Sequence, residues 1–294
     1  MNLGDAYILT LSRLRKHRCL GSDPEREAAD FLSWAAELPK EMQLTHPETP
    51  LLPDQEATLT KMIERRLRHE PPERITGRAI FLGRSFEVSP ATLVPRPATE
   101  ILVQTALDLT NRSTQVDVWD IGTGSGCIAV TMAGEMSTAR TTATDTSDPA
   151  LQVARRNAKT NGVGERVDFL LGDLTDPLRQ NWSTDVPLIV LANLPYVPTG
   201  QLADLTPEVR DFEPQSALDG GPDGLDPYRK LLDQLGHLFL TKRPPAVRLL
   251  FEHLPYQLEP LRSEIAIRFA KADMKPILSG TDVGSVVGLT ARLF

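Results

Sequence analysis

Between Val116 and Tyr196 short apolar runs alternate with helical stretches, and the first junction is Asp120-Ile121-Gly122-Thr123-Gly124-Ser125-Gly126. A strand that runs into alternate glycines and then directly into a helix constrains the fold more than any other feature of this chain. Gly122, Gly124 and Gly126 permit a tight turn and a close approach of backbone to a ligand. The segments VDVWDIG, ARTTATD, RVDFLLGD and VPLIVLANLPY read as strands, with helices over 126–136 and 148–160. Strands alternating with helices predict an α/β fold, a doubly wound and mostly parallel sheet of Rossmann-like type. Beyond it come a loop rich in glycine and proline (206–227), a helix near 228–240, the strand VRLLFE and a hairpin-like pair (275–280 and 286–293).

The N-terminal region has another character. Asp23-Pro24 opens a run in which Ala28, Phe31, Leu32, Ala35 and Leu38 recur at helical spacing, with a cap and a proline in the first turn. A second helix is predicted over about 54–69, with Leu59, Met62, Ile63 and Leu67 on one face, and Pro71-Pro72 breaks it. The stretch ITGRAIFLGRSFEVSPATLV alternates short β-branched and aromatic runs with glycines, which suggests a small hairpin. Helical spacing returns from Thr99 to Leu109. Three parts are therefore expected: a small helical domain (1–74), a β-hairpin linker (75–95) and an α/β domain (96–294).

Composition narrows the partners. The net charge of −7, from 39 acids against 32 bases, argues against a protein held mainly by a nucleic-acid backbone, which needs a basic face. Cys19 and Cys127 are too few for a disulfide framework, and the five histidines (His17, His46, His69, His237, His253) lack ligand spacing. No metal is expected. No stretch approaches the roughly 20 apolar residues of a membrane helix, so a cytoplasmic chain without membrane association is expected.

Asp145 ends the strand after the glycine loop, where an acid can accept hydrogen bonds from both hydroxyls of a bound ribose. Dinucleotide enzymes share that arrangement, so the acid alone leaves the cofactor open. Asp173 follows the third strand on the same rim, where it and Leu174 border an adenine or Asp173 simply caps a helix. Asn193-Leu194-Pro195-Tyr196 ends the fourth strand. An amide or nucleobase nitrogen is a weak nucleophile because its lone pair is delocalised. Two acceptors holding its N–H hydrogens, the Asn193 side-chain oxygen and the Leu194 carbonyl, would favour tetrahedral geometry and stabilise the developing positive charge. Pro195 stiffens the turn, and Tyr196 offers a flat face for stacking. By itself the motif also reads as a structural Asn-x-Pro turn. Paired with the glycine loop, it implies methyl transfer from a sulfonium donor to a conjugated nitrogen.

These segments resemble the release-factor glutamine methyltransferases of the HemK/PrmC type over nearly the whole chain. EREAADFLSWA and RRLRHEPPERITG resemble that family's helical N-terminal domain and its exit, and ATLVPRPATEILV its segment ahead of the first sheet strand. DIGTGSGCIAV, the Asp145 strand end, ANLPYVP, FEPQSALDGGPDGLDPYRK and LLFEH follow in family order. The resemblance implies a monomeric enzyme that methylates the glutamine amide in the Gly-Gly-Gln tip of class I peptide chain release factors, without direct nucleic-acid binding. It implies S-adenosyl-L-methionine as cofactor, contacted by Gly122, Thr123, Gly124, Ser125, Gly126, Asp145, Asp173, Leu174 and Asn193. Asn193, Leu194, Pro195 and Tyr196 would hold the glutamine, with Asn193, Pro195 and Tyr196 as the catalytic group. The family usually carries two prolines after the asparagine, and here the first is Leu194. NLPY is also the form of enzymes that dimethylate adenine in ribosomal RNA, which makes an exocyclic adenine amine the competing acceptor.

Eight further positions have two readings each. Arg96, Thr99 and Glu100 either close over the cofactor or form an ordinary helix start around Pro97. Glu252 ends a late strand and is either an acid buried near the site or, the favoured reading, a paired structural acid. Asp219, Gly220, Gly221 and Gly224 are expected to shape a loop beside the acceptor pocket, a plain connector being the other reading.

Overall fold

The computed structural model describes residues 1–16, 23–179, 182, 185–278 and 286–293. His17, Cys19 and the end of the predicted strand at 279–280 lie outside the described residues. The chain forms two compact units, Met1–Gly77 with Leu205–Phe212, and Arg78–Asp204 with Glu213–Phe294.

The first unit is helical: α1 (Leu3–Lys16), α2 (Pro24–Ala36), α3 (Glu41–Thr45), α4 (Pro53–Arg66), α5 (Pro72–Thr76) and, from the second segment, α9 (Pro207–Arg210). Asp23 caps α2 by accepting the Arg26 N–H at 3.1 Å, with Pro24 in the first turn. The apolar faces meet in a core that includes Leu3, Leu14, Phe31, Leu32, Leu59 and Ile63. Helix α4 ends at Arg66, three residues short of the expected end and five before Pro71, with His69 in a left-handed φ of 66°; Pro72 instead opens α5, since its fixed φ suits a first turn. Buried Arg66 pairs with Glu27 at 2.8 Å and with Glu208 at 3.5 Å. That pairing ties residues 205–212 to the N-terminal helices, although the sequence reading set them in a loop of the α/β domain.

In the second unit β1 (Arg78–Phe81) and β2 (Arg84–Glu87) form the expected hairpin. Leu82 and Gly83 turn it with φ of 45° and 74°, the doubly positive geometry that matches strand twist in a two-residue loop. After α6 (Pro97–Asp108) the sheet is built from β3 (Asp117–Ile121), β4 (Arg140–Asp145), β5 (Val167–Leu171), β6 (Leu188–Ala192), β7 (Val247–Glu252), β8 (Asp273–Leu278) and β9 (Val286–Arg292). Its order is β5-β4-β3-β6-β7-β9-β8. The first five are parallel, whereas β9 runs antiparallel to both β7 and β8. The helices are α7 (Cys127–Glu135), α8 (Asp148–Thr160), α10 (Asp226–Thr241) and α11 (Leu258–Arg268).

The period of two along each strand splits the core into two layers. Val118, Ile189, Leu191 and Leu250 pack with Leu102, Val103, Ile128 and Met132 of α6 and α7. Trp119, Ile121, Val190, Leu249 and Phe251 pack with Leu231, Leu235, Leu261 and Ile265 of α10 and α11. Covered on both faces, β3 and β6 are buried throughout, which is why they read as continuous apolar runs. Helix α11 escaped the sequence reading because only Leu261 and Ile265 of its residues are buried. The strand order reverses between β3 and β6, and ligands of open α/β sheets bind at the carboxyl ends of the strands flanking such a switch.

Candidate active site

The glycine loop leaves β3 and is pinned to the end of β4: Gly122 and Thr123 both donate their N–H to the Thr144 carbonyl at 2.9 Å. Gly122, Gly124 and Gly126 have φ of 74°, 54° and 82°. Gly126 is a packing residue, because a Cβ there would lie 2.9 Å from the Ala154 Cβ on α8. The Thr123 hydroxyl turns inward and donates to Asp120 Oδ2 at 2.6 Å, and the Ala129 N–H reaches the same oxygen at 3.0 Å. Asp120 is fully buried, which pushes its carboxyl up to about 7 despite those two donors.

Asp145 braces the loop from the next strand. Its Oδ2 accepts the Gly124 N–H at 2.9 Å and its Oδ1 the Ser147 N–H at 2.8 Å. Burial raises its pKa against those bonds. Gly122 through Ser125, Asp145, Leu174 and Asn193 through Pro195 line one cavity of about 280 Å³ at the carboxyl ends of the parallel strands. Leu174 holds a left-handed φ of 51° there. Gly126, Asp173 and Tyr196 lie outside that lining. The Asp173 carboxylate instead pairs with Lys230.

Asn193 sits just past β6, and its side chain belongs to a chain of hydrogen bonds. Asn193 Nδ2 donates to Thr99 Oγ1 at 2.9 Å, and Thr99 donates to Glu252 Oε2 at 2.7 Å. The Tyr196 hydroxyl donates to the other carboxylate oxygen at 3.1 Å. Burial pushes the Glu252 carboxyl up to about 7, opposed by these two donors and by Arg96. The Leu194 N–H donates to the Tyr228 hydroxyl at 3.2 Å, which in turn donates to the Glu252 carbonyl. Thr99 thus does more than start a helix, and Glu252 is paired with hydroxyls rather than with a cation. Sequence reading raised both positions but had no means of linking them to Asn193.

The loop after Leu218 closes on the acceptor motif from outside. Asp219 lines the cavity, and Val197 pairs with it in an isolated parallel bridge. A Cβ on Gly224 would fall 2.1 Å from the Tyr196 carbonyl oxygen, so this contact requires a glycine. Gln257 fastens the same strip by donating to the Tyr196 and Asp223 carbonyls at 2.9 Å each. Arg96 pairs with buried Glu213 at 2.9 Å. Glu100 turns to the hairpin and accepts the Leu82 N–H at 2.8 Å.

A seven-stranded sheet of this order, with its glycine loop answered by Asp145 and an Asn-Leu-Pro-Tyr element at the switch, defines a Rossmann-like methyltransferase. Residues 118–212 match a methyltransferase domain family, and residues 6–77 match the PrmC N-terminal domain. The release factor glutamine methyltransferase of Moorella thermoacetica is 41% identical over 209 residues, covering 71% of this chain and 72% of that protein. Its namesake in Koribacter versatilis is 37% identical over 212 residues, covering 72% and 74%. The one from Nitratidesulfovibrio vulgaris is 38% identical over 232 residues, covering 77% of each. The catalytic domain of human METTL16, solved with a MAT2A 3′UTR hairpin, shares the fold with a TM-score of 0.54 at 15% identity, over 81% of both chains. The chain belongs to the release factor glutamine methyltransferase family.

Proposed function

We propose that this enzyme methylates the side-chain amide nitrogen of the glutamine in the Gly-Gly-Gln motif of class I release factors, using S-adenosyl-L-methionine. The observation that carries this reading is that Asn193, Leu194 and Pro195 line the same cavity as the glycine loop and Asp145. The cavity residues fit the proposed cofactor. Each Asp145 oxygen takes one backbone N–H, and a carboxylate has about four lone-pair sites, so capacity for two ribose hydroxyls remains. Gly124 has open space within 4 Å of where a Cβ would stand, room that a close ligand needs. When bound, the cofactor supplies an electrophilic methyl group on a sulfonium.

The protein's part is to hold and polarise the acceptor. Asn193 Oδ1 and the Leu194 carbonyl accept the two N–H hydrogens of the glutamine amide and stabilise positive charge as it develops on nitrogen. Pro195 limits the motion of both acceptors. The nitrogen then loses a proton to water, so no charged base is needed. Among the described residues Arg96 is the only lysine or arginine lining the cavity, and Glu213 neutralises it. That charge balance favours a protein acceptor over the phosphate-bearing adenine substrate. In this reading residues 1–74 form the docking domain for the factor, 75–95 the linker and 96–294 the catalytic domain, working as a cytoplasmic monomer.

The test is transfer of labelled methyl from S-adenosylmethionine to a release factor, to the same factor with its Gly-Gly-Gln glutamine replaced, and to ribosomal RNA. Label in the intact factor alone is expected, and label in RNA alone would overturn the reading. Asn193→Ala should nearly abolish transfer, by about 100-fold or more as for loss of a single charge-stabilising group.

A further inference from the structure

An asparagine amide is useful as an acceptor clamp only if its oxygen, not its nitrogen, faces the incoming N–H groups. The two ends are nearly the same size and shape, so packing does not choose between them, and the hydrogen-bond network must. Here the choice is made outside the cavity. Glu252 stands at the end of β7 with 2% of its surface exposed, one strand away from Asn193. As a carboxylate it can only accept. The single Thr99 proton is therefore drawn to Glu252 Oε2, and Thr99 is left with lone pairs toward Asn193. Lone pairs call for the Asn193 nitrogen, so Oδ1 is left to the cavity. Reversed, the amide would set two N–H donors against the N–H hydrogens of the substrate.

We infer that Glu252, acting through Thr99, is the positioning residue that fixes the orientation of the Asn193 amide for acceptance of the substrate nitrogen. This rests on the glutamine-methylation reading and adds a residue that touches no substrate. Tyr196 supports the same state, because its hydroxyl donates to the second Glu252 oxygen. The groups around the carboxylate are Thr99 and Arg96 on the α6 side, Tyr196 after β6, Tyr228 on α10, Cys127 at the start of α7 and His253 next in the chain. Burial pushes the Cys127 thiol up to about 12 and raises the Tyr196 phenol, so both are neutral near pH 7. Burial also lowers His253, which leaves it neutral there, and Arg96 is held by Glu213. Glu252 is thus the group in this cluster whose charge changes near neutrality. Once it is protonated, its own O–H can donate to Thr99, the Thr99 proton can turn toward Asn193, and the amide is free to reverse.

The inference is tested with Thr99→Val, Thr99→Ser and Glu252→Gln, measuring kcat and KM for the release factor from pH 6 to 9, cofactor affinity by calorimetry, and side-chain amide signals of 15N-asparagine-labelled protein. Thr99→Val should lower kcat by about 10- to 100-fold, the size expected for a mis-set reacting geometry. Cofactor affinity should stay within about threefold, since the Thr99 hydroxyl, although its residue lines the cavity, is already engaged by Glu252 and Asn193. Thr99→Ser, which keeps the hydroxyl, should recover most of the rate. Wild type should lose activity as pH falls through about 7, and Glu252→Gln should make that acid limb shallower, the remainder belonging to Asp120 under the glycine loop, which burial also pushes up to about 7. An unchanged kcat in Thr99→Val, no advantage of serine over valine, or an acid limb of undiminished depth in Glu252→Gln each overturns the inference. If wild type transfers no methyl to the factor, the functional reading fails instead. The relay is then judged by the Asn193 amide signals, which should shift in Thr99→Val and hold in Thr99→Ser; signals unmoved by valine refute it.

Discussion

Leu194→Pro restores the second proline usual in the family and probes whether the acceptor clamp depends on the leucine. The native Leu194 N–H donates to the buried Tyr228 hydroxyl at 3.2 Å. Proline deletes that donor, but Tyr228 keeps the Glu252 carbonyl as its own acceptor, so no buried donor is orphaned. The loss is then one ordinary hydrogen bond, about 1 kcal/mol. Leu194 is 3% exposed, and its Cδ2 lies 2.9 Å from where a Gly122 Cβ would stand. Trimming it by about one methylene removes roughly 0.8 kcal/mol of burial. A residue preceding Pro195 is already biased to extended backbone, which suits a proline φ. The sum is a destabilisation of about 2 kcal/mol in denaturant titration. The Leu194 carbonyl survives, so kcat/KM for the release factor should stay within about fivefold, a barrier change near 1 kcal/mol. A loss beyond about 30-fold with cofactor affinity intact would refute the carbonyl clamp and assign the acceptor pocket to the leucine side chain.

Gly126→Ala combines a left-handed φ of 82° with a Cβ 2.9 Å from that of Ala154. It should destabilise by about 2–5 kcal/mol, from backbone strain plus overpacking, and an effect below about 1 kcal/mol in chemical denaturation would contradict the packing role. Asp145→Asn turns one of two acceptors into a donor facing the Gly124 or Ser147 N–H. Cofactor affinity in calorimetry should fall at least about tenfold, and an unchanged affinity would remove Asp145 from the cofactor site. Glu252 is raised from 4.5 to about 7 by burial, so the folded protein binds this proton more tightly than the unfolded chain does. Its contribution to stability is fully present below pH 4.5 and is lost as pH rises toward about 7, by about 3 kcal/mol. Thermal unfolding of Glu252→Gln should show a shallower fall between those pH values, and a slope identical to wild type would refute the burial argument.

What the sequence determined by itself was local. Three glycines between a strand and a helix, apolar runs at period two or near 3.6, and Asp23-Pro24 as a helix start all act through residues a few positions apart. The doubly wound sheet, the helical N-terminal region and the residues at the β3, β4 and β6 ends were legible for that reason. Only the tertiary structure decided which strand ends meet. Sheet order sets β6 between β3 and β7, and so joins Asn193 to Thr99 across 94 residues and Thr99 to Glu252 across 153. It also assigned residues 205–212 to the helical unit through Glu208 and Arg66, which a loop rich in proline and glycine gave no reason to expect. Tertiary packing likewise turned Gly126 toward α8 and Asp173 toward Lys230. A hydrogen bond forms over about 3 Å whatever the separation in sequence, so the polarity of the Asn193 amide belongs to the folded chain and to no segment of it.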